Sequence, residues 1–392
     1  MPIDGRGLRS YVDVWMFAAP AAPDPDDRGL AVMHEAWAHW RENLSLPEAR
    51  WARAYQSSRG LPDIRAGLAV ARGDDLTRHL ARRGYTTEEM GRAGLVAPSR
   101  FGGTRDRFRD RIVLPLYDRR GHVVGVTARA NPRAAHGPKY LNSPNSEVFD
   151  KSRVLYGLTP EAAARLADPG WAVPVVVEGP FDAAAVRAAS RAKPHPSLPD
   201  LVPVAPCGTA LTRAQVALLA DVTGGLPQVV FAFDADGPGQ RATVRAVESL
   251  LTPAQRADAQ FADVRDGKDP ADWLRRLGPE ALYERLFAAP SYSHRMVDRL
   301  AGLAGAEPYL EQRLPLWRAA VAVLGGLDFP AAAEGREHLA ARLGGFHERA
   351  SILAEADLTV AGLAPFAAPR SVPAPPPAPM VTACVQPAGA GL

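Results

Sequence analysis

Cysteine is almost absent: Cys207 and Cys384 are the two in a chain of 392 residues. They stand far apart and neither belongs to a C-x-x-C or Cys/His cluster, so no zinc is expected and the count suits a reducing compartment. Lysine is nearly as scarce, with four residues among the 46 Lys and Arg, as drift toward GC-rich codons produces. There is no apolar run of about 18 residues to span a bilayer and no basic-then-apolar leader pattern, so no membrane is expected and residence is read as cytoplasmic. No G-x-x-x-x-G-K-[ST] occurs, which excludes a fused P-loop motor. The formal net charge of +3 leaves total charge uninformative about partners.

Charge distribution says more. Between Arg92 and Arg153 there are 13 Lys or Arg against five Asp or Glu, a basic block of the kind that meets a phosphate backbone. At roughly 150 residues per domain the length allows two or three domains. Residues 1–29, with an Asp-Pro-rich stretch, read as a flexible arm. Helical spacing runs from about Ala31 to Arg59, broken near Pro47 and stopped at Arg59-Gly60-Leu61-Pro62. Further helices are expected from Leu76 to Arg83 and from Thr86, where Thr86 and Glu89 have capping-box spacing. About 30–98 therefore reads as helical. The period then changes: 112–117 and 122–127 are β-rich runs joined at Asp118-Arg119-Arg120-Gly121, with Pro115 marking an edge or bulge.

From Thr159 helix and strand alternate, with strands expected at 173–178, 201–205, 228–233 and near 260–264, and helices at 159–167, 181–191, 212–221 and 239–251. Such alternation implies right-handed crossovers and a mainly parallel sheet flanked by helices. Helices continue to about 358, including 292–303, 312–324 and 331–343. Eight prolines within 365–387 mark a disordered end.

Three apolar strands run into carboxylates: Glu178-Gly179-Pro180-Phe181-Asp182, Asp234-Ala235-Asp236-Gly237-Pro238-Gly239, and Asp266-Gly267-Lys268-Asp269-Pro270. Ligands of open parallel sheets bind at the carboxyl ends of strands, and carboxylates gathered there suit hard cations such as Mg²⁺. Gly179 is read as allowing a sharp turn. The i, i+2 spacing of Asp234 and Asp236 puts both on one side. Singly, each motif is also what a solvated turn or a helix N-terminus holds. Arg107, Arg109 and Arg111 alternate, so they are expected on one strand face, either solvated or tracking a backbone.

These segments, with Gly208-Thr209-Ala210-Leu211-Thr212, resemble the TOPRIM fold of bacterial DnaG-type primases. Upstream, Asp106–Leu116, Gly121–Arg129, Pro138-Lys139-Tyr140-Leu141-Asn142-Ser143-Pro144 and Phe149–Gly157 are similar to the N-terminal half of the same polymerase core. The resemblance covers about 30–280. It implies an α/β fold in which a TOPRIM-type, mainly parallel sheet flanked by helices is preceded by a mixed α+β subdomain and followed by a helical region. The units would be the arm 1–29, a basic subdomain 30–158, the TOPRIM domain 159–280, a helical region 281–360 and a Pro/Ala-rich tail 361–392.

The resemblance further implies a nucleotidyltransferase, a primase-type DNA-directed RNA polymerase making short RNA primers on single-stranded DNA from ribonucleoside triphosphates. Mg²⁺ or Mn²⁺ would be held by Glu178, Asp234 and Asp236, with Asp182 and Asp269 at the rim. Lys151 would join the catalytic set. Arg129, Lys139, Tyr140 and Asn142, with Arg107, Arg109 and Arg111, would meet template and nucleotide. A replicative helicase is a candidate partner. Other classes compatible with the residues are a metal-dependent TOPRIM nuclease and a degenerate single-strand-binding module that needs a partner. The sequence departs from the family's pattern in two ways. No cysteine set matches its zinc-binding domain, and Asp269-Pro270-Ala271-Asp272 replaces the usual Asp-Pro-Asp.

Overall fold

The computed structural model describes residues 22, 24, 27–61, 64–99, 102–133, 137–168, 170–206, 211–233, 249–252, 255–256, 258–262, 269–304, 324 and 329–343. Several expected features lie outside the described residues: nearly all of the 1–29 arm, Gly208 to Ala210, the Asp234 to Gly239 turn, most of the 239–251 and 312–324 helices, Asp266 to Lys268, and the 361–392 tail.

Two sheets carry the site. The first is antiparallel, in the order β1 (Gly67–Ala69), β4 (Arg111–Tyr117), β5 (Val123–Ala130), β6 (Tyr140–Asn142). A separate small ribbon pairs β2 (Val96–Pro98) with β3 (Thr104–Asp106). β1 was not legible in the apolar spacing, because three residues are too few to show a period. It joins the expected helical stretch to the sheet. Pro115 lies beyond the reach of β1, which pairs only with residues 111–113 of β4, and a register shift follows at Leu116/Tyr117. A residue with no amide to donate is tolerated at such a place.

Helix α1 (Arg28–Glu42) lays Val32, Met33, Ala36, Trp37 and Trp40 against one face of this sheet, where they meet Val113, Val126 and Ala128. Helices α2 (Arg50–Ser58), α3 (Asp75–Arg82) and α4 (Thr87–Arg92) complete that half. The Thr86 capping box forms: the hydroxyl accepts from the Glu89 amide at 3.2 Å and the Glu89 carboxylate accepts from the Thr86 amide at 2.7 Å.

The second sheet is wholly parallel, in the order β8 (Asp200–Val204), β7 (Ala172–Val177), β9 (Val229–Ala232), β10 (Ala259–Phe261). Helices α6 (Pro180–Arg191), α8 (Pro270–Leu277) and α9 (Pro279–Phe287) cover one face. Helices α5 (Pro160–Leu166), α7 (Arg213–Thr223) and α10 (Tyr292–Ala304) cover the other. The strands show why their sequences read as unbroken apolar runs: Val175 and Val177 pack on the first side and Val176 on the second, as do Val230 and Phe231 respectively. Last comes α11 (Phe329–Leu343), with the His338 ring stacked on His294 of α10 at 4.2 Å.

The two sheets share one core. Ile112, Leu114, Leu116 and Val124 of the antiparallel sheet belong to the same buried cluster as Val175, Val177, Phe181 and Trp273. At the junction Gly157 has φ +87°, and a Cβ there would lie 2.4 Å from the carbonyl oxygen of Pro203. Both the backbone conformation and the close approach require glycine.

Candidate active site

The acidic edge forms where the parallel sheet hands over to its helices. β7 ends at Val177, Glu178 is exposed, and α6 starts at Pro180 with Asp182 in its first turn. Gly179 is extended, at φ −149° and ψ 173°, a conformation open to any residue. The expected sharp turn is therefore not why glycine stands there. A Cβ at Gly179 would point toward the Asp182 carboxylate at 3.6 Å and the Tyr140 hydroxyl at 3.8 Å, so its absence leaves room between the two halves. Ala232 of β9 pairs with Val177, which brings the end of β9 level with Glu178. Asp269 is the N-cap of α8, and its Oδ1 accepts from the Asp272 amide at 2.6 Å.

Opposite stands a basic wall built on β5 and β6. Arg129 pairs in register with Tyr140 and is 9% exposed. Three rings approach its guanidinium: Tyr55 of α2 at 4.9 Å, Tyr140 at 5.1 Å and Phe181 of α6 at 5.5 Å. Tyr55 and Phe181 meet edge to face at 5.3 Å. Arg59 lies 5.5 Å from the Tyr55 ring and Lys139 lies 5.8 Å from the Tyr140 ring. Burial pushes the Tyr140 phenol far above its ordinary range, with the Arg129 charge opposing, so it stays protonated. Burial works against the charge of Arg59, but Tyr55 and the Asp269 carboxylate outweigh it and its pKa is raised.

Edge and wall line one cavity of about 190 Å³, bounded by Tyr55, Arg59, Thr127, Arg129, Lys139, Tyr140, Glu178, Gly179, Pro180, Phe181, Asp182, Asp269 and Ala271. Six of the sequence-derived candidates are thus brought together: Glu178, Asp182, Asp269, Arg129, Lys139 and Tyr140. Asn142 pairs with the cavity residue Thr127 but does not line the cavity itself. Lys151 begins a short 3₁₀ turn outside it. Its amide donates to Asn145 Oδ1 at 3.1 Å and its carbonyl accepts from Gln215 of α7 at 3.2 Å. Asp234 and Asp236 lie outside the described residues.

The expectation of one strand face for Arg107, Arg109 and Arg111 is corrected. Residues 107–110 are not strand, and Asp110 has φ +51°, which breaks the alternation. Arg111 turns inward and donates to the carbonyls of Ala128 at 3.2 Å and Pro138 at 3.0 Å. Burial lowers its pKa. It clasps the segment before β6. Arg107 is half-buried and Arg109 is exposed.

Seven cavity residues were not among the candidates: Tyr55, Arg59, Thr127, Gly179, Pro180, Phe181 and Ala271. Arg59 is the expected helix end and Tyr55 lies one turn before it. Their i, i+4 spacing, an aromatic and a cation on the last turn, was the available signal.

Oxygen donors of this kind fit a hard divalent cation. Among the described residues, however, no three Asp, Glu, His or Cys side chains come together as a metal site, and Asp269 is already engaged as a cap. The fit therefore rests on Glu178 and Asp182 together with carboxylates beyond β9.

Two family models match in tandem: the DNA primase catalytic core, N-terminal domain, over residues 39–162, and a Toprim-like domain over 175–274. Together they span more than half of the chain, in the order that the two sheets occupy. The chain belongs to the DnaG-type primase family. A DNA primase of Streptomyces coelicolor is 35% identical over 64% of this chain and 38% of its own length. The RNA polymerase domain of Mycobacterium tuberculosis primase DnaG superposes with a TM-score of 0.65 at 28% identity, covering 81% of this chain and 98% of that one. A DnaG primase catalytic domain bound to single-stranded DNA gives a TM-score of 0.62 at 27% identity over 81% and 96% of the two chains. The chain spans about two fifths of the length of the curated primases it matches. In this DnaG-type core no described helix is long and apolar enough to cross a membrane.

Proposed function

We propose that this chain synthesises short RNA primers on a single-stranded DNA template by divalent-metal-dependent nucleotidyl transfer. One observation carries the reading: acidic strand and helix ends and a basic aromatic wall, from two different sheets, face each other across a single cavity. The DnaG catalytic domain that was solved with single-stranded DNA supports the template assignment.

Roles follow from position. Glu178, Asp234 and Asp236 would hold Mg²⁺ or Mn²⁺, with Asp182 beside them and Asp269 at the rim. A bound divalent cation would supply charge neutralisation for an attacking hydroxyl and a triphosphate. The chain's own cations do the rest. Arg129, Lys139 and Arg59 present positive charge to the phosphates from a wall that is already ordered, which is where preorganised electrostatics act most strongly. The Tyr140 hydroxyl, protonated at every working pH, is a donor at the gap between wall and edge. Arg107 and Arg109, which do not line the cavity, would meet the template, while Asn142 and Lys151 would support the strand and turn that flank it. A replicative helicase would deliver the template.

The test is primer synthesis from labelled ribonucleoside triphosphates on single-stranded DNA, with Mg²⁺ or Mn²⁺ and with chelator. Template-dependent, metal-dependent oligoribonucleotides are expected. Metal-dependent cleavage of the DNA without triphosphates, or salt-sensitive DNA binding with no product on any template, would overturn the reading.

A further inference from the structure

The basic wall is ordered in an unusual way. Each of its two tyrosine rings holds two cations: Tyr55 has Arg59 at 5.5 Å and Arg129 at 4.9 Å, and Tyr140 has Arg129 at 5.1 Å and Lys139 at 5.8 Å. Cations and rings thus alternate along the wall: Arg59, Tyr55, Arg129, Tyr140, Lys139. Phe181 closes on the central guanidinium at 5.5 Å and braces Tyr55 edge to face. The members come from α2, β5, β6 and α6, so the packing of both sheets is needed to assemble them.

Three like charges on one small wall repel one another, and long basic side chains resist ordering. The negative faces of the rings offset the first cost, and caging removes the freedom behind the second. The Arg129 Nε is buried without a hydrogen-bond acceptor among the described residues. The caged guanidinium is therefore not fully used by the protein, and it stands where the cavity opens toward Glu178 and Asp182.

The geometry points to Tyr55 and Phe181 as positioning residues that set the spacing of Arg59, Arg129 and Lys139 into a seat for a polyphosphate. The inference rests on reading the basic wall as the nucleotide side of the site. Neither residue touches the nucleotide in this account. Both act through Arg129, Tyr55 through Arg59 as well, and the simple alternative is that they are filler between two sheets.

A titration calorimetry series with inorganic triphosphate, in chelator-treated buffer, separates the two. Tyr55→Leu and Phe181→Leu keep apolar volume and lose the ring, and each is expected to weaken triphosphate binding several-fold, up to about tenfold. Tyr55→Phe keeps the ring and is expected to recover most of the affinity, since both cations approach the ring face. In an Arg129→Lys background Phe181→Leu is expected to add almost nothing, and Tyr55→Leu only the part exerted through Arg59.

Equal losses in both backgrounds, or no loss when the rings are removed, would overturn the proposal, as would failure of the unaltered protein to bind triphosphate. If Tyr55→Leu unfolds, as a thermal melt would report, Phe181→Leu and its pairing with Arg129→Lys carry the same test. The two readings fail separately. Ring-dependent triphosphate binding in a protein that makes no primers sinks the primer reading and supports the seat. Primer synthesis with ring-independent binding does the reverse.

Discussion

Two helices of the parallel-sheet half open with proline and aspartate in the same two places and commit their acids differently. α6 opens on Gly179-Pro180-Phe181-Asp182 and α8 on Asp269-Pro270-Ala271-Asp272, each with proline in the first helical position. In α8 the N-cap is itself an acid and takes the Asp272 amide at 2.6 Å. Asp272 then turns onto its own helix, bonded to Arg275 and 3.8 Å from Arg276. Both carboxylates bond within the helix, although Asp269 also lines the cavity. In α6 the N-cap has no side chain, and Asp182 lines the cavity together with Glu178. The residue at the N-cap therefore decides whether a first-turn amide is met by a capping carboxylate. α4 marks the fully committed extreme: Glu89, also three residues past its cap, accepts from the Thr86 amide and pairs with Arg28 at 2.7 Å.

The contrast breaks most visibly in activity. Glu178→Ala and Asp182→Asn are each expected to lower kcat for primer synthesis by about 10²-fold or more with an unchanged thermal transition. Wild-type rates in either would end the division between the two helices. The cap makes the next prediction. Asp269→Ala is expected to lose about 1 kcal/mol of stability in denaturant unfolding, and Asp269→Asn, which still accepts from the Asp272 amide, only a small part of that. An activity loss in Asp269→Asn as large as in Asp182→Asn would show that Asp269 works in the cavity beyond its capping.

Asp272→Asn removes exposed ion pairs and should cost only a few tenths of a kcal/mol, with primer synthesis intact. The smallest effect is in pH. The hydrogen bond from Arg28 holds the Glu89 carboxyl down, from 4.5 to about 2. A carboxylate lowered in the folded state adds stability that is fully present above 4.5 and is lost as pH falls toward about 2. Glu89→Gln should flatten the stability profile in that window, lowering stability near neutrality and converging with the unaltered protein as pH falls to about 2.

The regular elements were legible where their periods were long. β7 and β9 carry unbroken apolar runs because both faces of the parallel sheet are covered, and the acidic ends of those runs pointed to the cavity edge. The three-residue β1 left no period to read. Alternation misled at Arg107, Arg109 and Arg111, because it presumes a strand that the positive φ of Asp110 interrupts. The aromatic caging of Arg129 was out of reach for another reason. Its members come from four elements, and no spacing within one segment encodes a meeting of four.

Ile112 and Leu114 lie in the same buried cluster as Val175 and Trp273, and close-packed interiors yield little to load. The two banks of the cavity are consequently cast in one block, like the jaws of a fixed-gap gauge. The width offered to a substrate is set by the volume of side chains far from it, and a methyl group lost from that core would be read at the cavity as a change of bore.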